Sequence, residues 1–385
     1  MEAAPAAPTH LVRAHSADVT ALFFSGDNER LYSGDASGRV VVTSTRSLRS
    51  ITSWAAHTDS VLGVEEWGNR IVTSVWVYAF ALDLDLTPSA RVGGAPGASA
   101  PDDVPKPSLC YSMDVNALNY CRFSLLSVSD EDALIALPNL VESSELNKAQ
   151  ADVWRLPARE RLHASVGTQR KEHIFSTTGR EGMRSGLIMS MHLYRDETRK
   201  LCFVCAYEDG SVVLRRFVGT EPSIEGRGWD VVWHQKLHAE AIMAMRVSRD
   251  NRIALTVSAD HLVGRFELSR DAISPGMIHR TKHAGNACLA IRDDGRVCAV
   301  GGWDGRVRLY ATKNLKALGT LKYHKSGCQA VEFARSGVSE EPGEEDPEEE
   351  EMTGDERQAR ERWLAVGAKD HRLSLWLLAS FEKRP

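Results

Sequence analysis

The sequence has no run of eighteen apolar residues, and its opening stretch, Met1 to Pro8, lacks the basic start and the apolar core of a secretory signal. We therefore expect neither a membrane span nor secretion. Its seven cysteines are odd in number and scattered along the chain, which offers no disulfide framework. This pattern indicates a reducing environment, in the nucleus or the cytosol.

Motifs of catalysis and cofactor binding are also missing. There is no Gly-rich phosphate loop, no G-x-S-x-G elbow and no H-E-x-x-H helix, so we expect a non-enzymatic protein with no cofactor, no metal and no small-molecule substrate. The one C-x-x-C pair, Cys202 and Cys205, lies in an apolar stretch without a second pair at zinc-ligand spacing. Core packing is therefore favoured over a zinc or redox site.

What the sequence does contain is a unit of about forty residues that recurs along the chain. His283 precedes G-G-W-D-G-R-V-R-L-Y at 301–310, and His324 precedes A-K-D-H-R-L-S-L-W at 368–376. A histidine, a turn aspartate and a terminal aromatic repeated in this order are typical of a WD-repeat β-propeller. Each unit should form four short antiparallel strands, and stacking of the units buries faces that a lone sheet would leave exposed.

Spacing predicts that each histidine pairs with the aspartate of its own unit. His238 lies 22 residues before Asp260, and His283 lies 21 before Asp304. The 46 residues from His324 to Asp370 shrink to 21 once the predominantly polar insertion 337–361, which is 25 residues long, is removed. Buried polar groups of this kind are stable only when they are satisfied together. The predicted structural network comprises His15, His57, His238, Asp260, His283, Asp304, His324, Asp370 and Trp376.

These observations predict one all-β domain over residues 1–385, a seven-bladed WD-repeat β-propeller. The stretch 9–13 precedes the first unit and has the pattern of a last strand without a blade of its own. We expect it to pair with strands of the last blade, within 329–378, because closure of the ring removes two exposed sheet edges.

Two insertions interrupt the repeat. Residues 88–107 are rich in Pro, Gly and Ala and predict a flexible surface loop. Residues 336–361 hold twelve acidic and two basic side chains, a net charge of −10 against −5 for the whole chain. We expect this segment to be disordered and to lie on the face opposite the His and Asp turns. It is interpreted as a solvated spacer, with a docking site for a basic partner such as a histone tail as the alternative.

Several segments that are not generic to propellers resemble the fungal WD-repeat family of ASTRA-associated protein 1. They include L-G-V at 62–64, N-A-L-N at 116–119 and H-K-S-G-C at 324–328. The resemblance extends over nearly the whole chain, and the animal counterpart of the family is similar to guanine nucleotide-binding protein subunit beta-like protein 1.

The resemblance implies a scaffold subunit of the ASTRA complex, linked to chromatin remodelling and to co-chaperoning of phosphatidylinositol-3-kinase-like kinases. The implied partners are other ASTRA subunits and the Tel/Tti co-chaperone proteins, with histones as a further candidate. The implied location is nuclear, with the cytoplasm as a second location. A G-protein-β-like signalling adaptor and a histone-peptide reader are the alternatives. Neither direct nucleic-acid binding nor membrane binding is expected.

The sequence departs from the family pattern at two places. Ser37 and Thr43 stand where the family tends to have Asp and Trp, which predicts that the first blade has lost its polar network. Residues 71–80 lack the expected Gly-Arg-Asp turn, which predicts a shortened second blade or an error in the gene prediction.

Three residues are candidates for partner binding. Trp303 directly precedes a turn aspartate, where a large aromatic is as easily a binding anchor as a packing residue. Lys369 and His371 flank the turn aspartate of the next unit. Because such turns lie at the entrance face of a propeller, we predict that Trp303, Lys369 and His371 contribute to one protein-binding surface.

Overall fold

The computed structural model describes residues 7–74, 77–81, 106–115, 119–139, 149–167, 186–268, 275–337, 354–379 and 381. Over these residues the chain forms seven four-stranded antiparallel sheets. They are the blades of a seven-bladed β-propeller, which confirms the predicted fold class. No helix in the described ranges has the length and apolar character needed to cross a membrane.

The strands are short, as expected for propeller blades. In chain order, those up to residue 166 are β1 His10–Val12, β2 Val19–Phe24, β3 Arg30–Asp35, β4 Arg39–Ser44, β5 Ser50–Ala55, β6 Gly63–Trp67, β7 Arg70–Ser74, β8 Val77–Ala81, β9 Ser108–Met113, β10 Ser124–Ser129, β11 Asp132–Pro138, β12 Ala151–Leu156 and β13 Glu160–Val166.

The remaining elements complete the repeat and add one helix. They are β14 Ile188–Arg195, β15 Leu201–Tyr207, β16 Ser211–Phe217, β17 Trp229–Lys236, β18 Ile242–Val247, β19 Ile253–Ser258, β20 Leu262–Glu267, β21 Met277–Arg280, β22 Asn286–Ile291, β23 Val297–Gly302, β24 Arg306–Ala311, β25 Ala317–Lys322, β26 Cys328–Phe333, α1 Gly354–Arg360, β27 Trp363–Ala368 and β28 Leu373–Leu377.

The chain divides into two compact units, one of residues 1–112 with 286–385 and one of residues 113–285. The first unit holds the sheets β2-β3-β4-β5, β6-β7-β8-β9 and β22-β23-β24-β25, and the sheet β1-β28-β27-β26. The second unit holds the sheets β10 to β13, β14 to β17 and β18 to β21. The second blade has all four strands, so the predicted shortening of that blade is wrong.

The N-terminal strand completes the last sheet. β1 pairs antiparallel with β28, and His10 lies opposite Leu375. The Thr9 amide donates to the Leu375 carbonyl at 2.8 Å, and the Leu377 amide donates to Thr9 Oγ1 at 3.0 Å. The last blade is thus built from both ends of the chain, which confirms the predicted closure.

Apolar stretches become the middle strands because both of their faces are covered. Val40, Val41 and Val42 are fully buried in β4, and all six residues of β27 are buried. Every residue of β15 is buried too, including Cys202 and Cys205. Their burial confirms core packing for this pair, and it raises the pKa of the Cys205 thiol to about 11.

The acidic segment differs from the prediction at its C-terminal end, where residues 354–360 form the helix α1. Arg360 anchors this helix, because its guanidinium donates to the Thr45 carbonyl at 3.5 Å and lies 5.7 Å from the Trp363 ring centroid. At the other end, the Gly337 amide donates to the Glu361 carboxylate at 3.1 Å. The predicted disorder of 338–353, and the predicted loop 88–107 up to residue 105, fall outside the described residues.

Candidate interaction surface

The last sheet contains a chain of four hydrogen-bonded side chains. His324 Nδ1 lies 3.0 Å from Asp370 Oδ1, and His324 Nε2 lies 2.8 Å from Ser374 Oγ. Trp376 Nε1 donates to the same Ser374 oxygen at 2.9 Å. Every donor has an acceptor when the imidazole is neutral and protonated on Nδ1, with the serine hydroxyl donating to Nε2. The structure brings together three predicted residues and adds Ser374, which the sequence analysis missed.

Histidines of other sheets also pair with a hydroxyl group. His238 Nδ1 lies 3.0 Å from Asp260 Oδ2, and its Nε2 lies 2.8 Å from Thr256 Oγ1. In the second blade, His57 Nε2 lies 2.8 Å from Thr73 Oγ1. The hydroxyl partner is therefore a recurring member of the network, and its spacing of 18 residues from the histidine is shared by the first and fifth blades.

The first blade keeps its polar network, contrary to the prediction drawn from Ser37 and Thr43. His15 Nδ1 lies 2.8 Å from Asp35 Oδ2, and His15 Nε2 lies 2.7 Å from Ser33 Oγ. Asp35 also accepts the Ser37 hydroxyl at 2.6 Å. An aspartate two residues before the expected position therefore performs the same role. Burial alone would raise the pKa of Asp35, but the hydrogen bonds from His15 and Ser37 outweigh it and lower the pKa to about 2.

The sixth blade differs from the predicted His283–Asp304 pair. Arg308 Nη1 and Nη2 donate to the two carboxylate oxygens of Asp304 at 3.2 and 2.5 Å. His283 is exposed, and its carbonyl accepts the Thr281 hydroxyl at 2.7 Å. A bidentate guanidinium is a stronger partner for a carboxylate than a neutral imidazole. The structure thus replaces the predicted pair with an Asp304–Arg308 ion pair.

The residue four positions after the turn aspartate explains this difference. After Asp370 it is Ser374, which supplies the hydroxyl for His324. After Asp260 it is Gly264, where an added Cβ would lie 2.5 Å from Thr256 Oγ1, so the glycine leaves room for the histidine and its hydroxyl partner. After Asp304 it is Arg308, which binds the carboxylate itself.

Neutral buried histidines predict a loss of stability in acid. Burial lowers the pKa of His57 to about 4, and it also lowers the pKa values of His238 and His324. The folded pKa values lie below the unfolded value of about 6.5. The neutral histidines therefore make their full contribution to the free energy of unfolding above that pH. It is lost progressively as the pH falls below 6.5, by up to about 1.4 kcal/mol per pH unit for each histidine that gains a proton on unfolding, and for His57 the loss continues down to about pH 4.

Urea unfolding between pH 7.5 and 4.5 measures this dependence. We expect the free energy of unfolding to decrease as the pH is lowered through this range. Its dependence on pH should be weaker in His57→Gln, which removes one of the titrating groups. A free energy of unfolding that stays constant between pH 7 and 5 would contradict the proposed protonation states.

The candidate partner-binding residues lie on adjoining turns of the first unit. Trp303 is 53% exposed, and a Cβ added to Gly327 would lie 3.2 Å from the Trp303 Cα atom. The Lys369 amide donates to the Gly327 carbonyl at 3.0 Å, so both turns border the same glycine. His371 is exposed in the same turn as Lys369, and its Nε2 lies 3.5 Å from the Asp18 carboxylate.

Comparison with known proteins agrees with this architecture. The family model described as "WD domain, G-beta repeat" matches residues 6–44 and 278–311. A protein of Verticillium alfalfae named "ASTRA-associated protein 1" is 31% identical over 401 residues, which cover 96% of this chain and 92% of that protein. The proteins of the same name from Pyricularia oryzae and Schizosaccharomyces pombe are 28% and 25% identical. These two alignments cover 97% and 96% of this chain, and 97% and 98% of the relatives.

Proposed function

The chain belongs to the ASTRA-associated protein 1 family, and from this premise we propose that it is a non-enzymatic scaffold subunit of the ASTRA complex. In this proposal it acts in the nucleus, and also in the cytoplasm, in chromatin remodelling and in the co-chaperoning of phosphatidylinositol-3-kinase-like kinases. Its partners are other ASTRA subunits and the Tel/Tti proteins. The observation that carries the proposal is the 31% identity to a relative of that name over 96% of the chain.

The buried polar groups support an interaction role over catalysis. A general base needs a free lone pair within reach of substrate, but both ring nitrogens of His324 are held by Asp370 and Ser374. His238 is held in the same way by Asp260 and Thr256. These side chains stabilise the blades, which leaves the exposed turns for recognition.

Affinity purification of the tagged protein from its own cells, followed by mass spectrometry, tests the proposal. We expect ASTRA subunits and Tel/Tti proteins among the specifically enriched partners. An enrichment that reproducibly lacks both groups would overturn it. Co-purification with heterotrimeric G-protein subunits instead would favour the signalling adaptor.

Replacing Trp303 with alanine should weaken partner binding without unfolding the protein. The side chain is half exposed, so its truncation should change the free energy of unfolding by no more than about 0.5 kcal/mol. A tryptophan at the centre of an interface typically contributes 2 kcal/mol or more, so at least one partner should bind about thirtyfold more weakly.

The matched control for this experiment is Ile224→Ala, which truncates an exposed apolar side chain, 67% accessible, in the second unit. Co-purified partners are quantified by mass spectrometry for both variants, and folding is checked by urea unfolding. A correctly folded Trp303→Ala protein that retains every partner at the wild-type level would show that Trp303 is not a binding anchor.

A further inference from the structure

Three exposed lysines lie on segments that border the turn of Trp303. Lys322 ends β25, Lys325 lies in the loop that precedes β26, and Lys369 lies in the turn between β27 and β28, and all three are exposed. We call the surface formed by Trp303, Arg306, Lys322, Lys325 and Lys369 the Trp303 rim. The loop that carries Lys325 packs directly against the turn of Trp303, because a Cβ on Gly305 would lie within 2.9 Å of the Ser326 carbonyl oxygen.

The carboxylates near this rim already have cationic or imidazole partners. Asp304 is held by Arg308, Asp370 by His324, and the carboxylate of Asp18 lies 3.5 Å from His371. By contrast, none of the ion pairs found within the described part of the chain includes Lys322, Lys325 or Lys369. Among the described residues, the lysines of the Trp303 rim therefore carry positive charge that no ion pair compensates.

Two cations of the rim hold opposing positions on paired strands. Arg306 and Lys322 lie directly opposite each other on β24 and β25, and like charges at such positions repel. Arg306 is only weakly compensated, with its Nε 3.9 Å from the Asp304 carboxylate. A half-exposed tryptophan offers an apolar contact to a partner, and the cations beside it favour a partner of complementary charge.

We propose that the Trp303 rim binds an acidic segment of a partner protein, with Trp303 packing against an apolar side chain of that segment. Lys322, Lys325 and Lys369 pair with its Asp and Glu side chains. The proposal rests on the scaffold function and specifies the partner chemistry. Charge complementarity selects this occupant, because a basic histone tail would meet three cations without a matching carboxylate.

Zero-length cross-linking of the affinity-purified complex tests this directly. A carbodiimide activates a carboxylate and couples it to a lysine amine with loss of water, so it reports lysines that lie in salt-bridge contact with Asp or Glu. We expect cross-links from Lys322, Lys325 or Lys369 to acidic residues of a co-purified protein. Lys313 and Lys316 are the internal controls, because they are exposed at the opposite end of the same sheet.

Three outcomes would overturn the proposal. The first is cross-linking from Lys313 and Lys316 but not from the rim lysines. The second is coupling of the rim lysines only through an amine-to-amine reagent, which would indicate a basic partner segment. The third is coupling to the acidic stretch of a second copy of this chain, together with a dimer mass in analytical ultracentrifugation.

The cross-linked segment is then synthesised as a fluorescent peptide, and its affinity is measured by anisotropy at 50 and 300 mM salt. The triple variant Lys322→Glu, Lys325→Glu and Lys369→Glu should bind about tenfold more weakly at low salt, and the difference should shrink at high salt. The control variant Lys313→Glu and Lys316→Glu should bind as the wild type does. Equal affinities of the two variants would overturn the proposal.

These results separate this proposal from the scaffold function. If ASTRA subunits co-purify but the rim lysines form no cross-links, the acidic-segment proposal fails and the scaffold function stands. If no ASTRA subunit co-purifies, yet the rim lysines couple to an acidic segment of another protein, the scaffold assignment fails and the partner chemistry stands.

Discussion

Replacing Gly38 with alanine is expected to destabilise the protein by about 3–5 kcal/mol. Gly38 lies in the turn between β3 and β4 with φ at +85°, a conformation that L side chains rarely adopt. An added Cβ would also lie 2.1 Å from the carbonyl oxygen of His57. Because that oxygen belongs to the backbone, the clash cannot be relieved by moving a side chain.

The same arrangement recurs at two further turns. A Cβ on Gly210 would lie 2.3 Å from the His238 carbonyl oxygen, and one on Gly305 would lie 2.4 Å from that of His324. Both glycines have positive φ angles, +85° and +73°. The turn glycine therefore has two roles: it adopts the positive φ angle of the turn, and it lets the backbone of the following histidine segment approach closely.

Gly295→Ala is the matched control. Gly295 has φ at +66°, but an added Cβ would meet no atom within 4 Å. The control isolates the conformational cost, about 1 kcal/mol, from the clash with the carbonyl group. Urea unfolding followed by tryptophan fluorescence, with refolding as the test of reversibility, measures both variants. Equal destabilisation by the two substitutions would show that the close approach at Gly38 is not a constraint.

The blade count and the ring closure could be predicted because they depend on features that every blade must have. Apolar stretches separated by Gly-containing turns specify the strands, and an unpaired N-terminal strand has one place to pair. The His–Asp pairs of the fifth and last blades followed from the same spacing, since His238 and His324 each meet the expected aspartate.

The details of the polar network depend on individual residues, which the spacing between histidine and aspartate does not reveal. Asp35 replaces the aspartate expected at position 37 because its carboxylate reaches back to His15 from two residues earlier. Arg308, rather than His283, binds the Asp304 carboxylate, because the buried guanidinium is a stronger partner for these oxygens than an imidazole. The sequence signal for Arg308 and Ser374 is their shared position, four residues after the turn aspartate.

The helix α1 could not be predicted from the composition of its own segment. Charge repulsion predicts disorder for 336–361, but Arg360 is buried at the C-terminal end and held by the Thr45 carbonyl and the Trp363 ring. This anchoring depends on residues that are distant in the sequence. Local composition therefore could not reveal it.

Replacing His324 with alanine is expected to lower the free energy of unfolding by about 3 kcal/mol. The imidazole is buried, and its removal leaves Ser374 and Asp370 without their shared partner. Unsatisfied buried polar groups cost about 1–3 kcal/mol each, and the loss of ring packing adds to this. The effect is large because the last sheet joins both ends of the chain.

His283→Ala provides the control, because His283 holds the corresponding position before the sixth blade but is exposed. Its replacement should change the free energy of unfolding by no more than about 0.5 kcal/mol. Urea unfolding of both variants measures the contrast, and similar losses in the two would mean that the histidine acts through its position in the repeat rather than through its hydrogen bonds.

A double-mutant cycle between His324→Ala and Ser374→Ala resolves whether the four side chains act as one unit. Since Ser374 Oγ accepts a hydrogen bond from Trp376 Nε1 and lies within hydrogen-bond distance of His324 Nε2, each single variant should disrupt the same chain of hydrogen bonds. We expect the double variant to lose about 1–2 kcal/mol less than the sum of the single losses. Strict additivity would instead show that the imidazole is held by Asp370 alone and that Ser374 and Trp376 pack beside it independently.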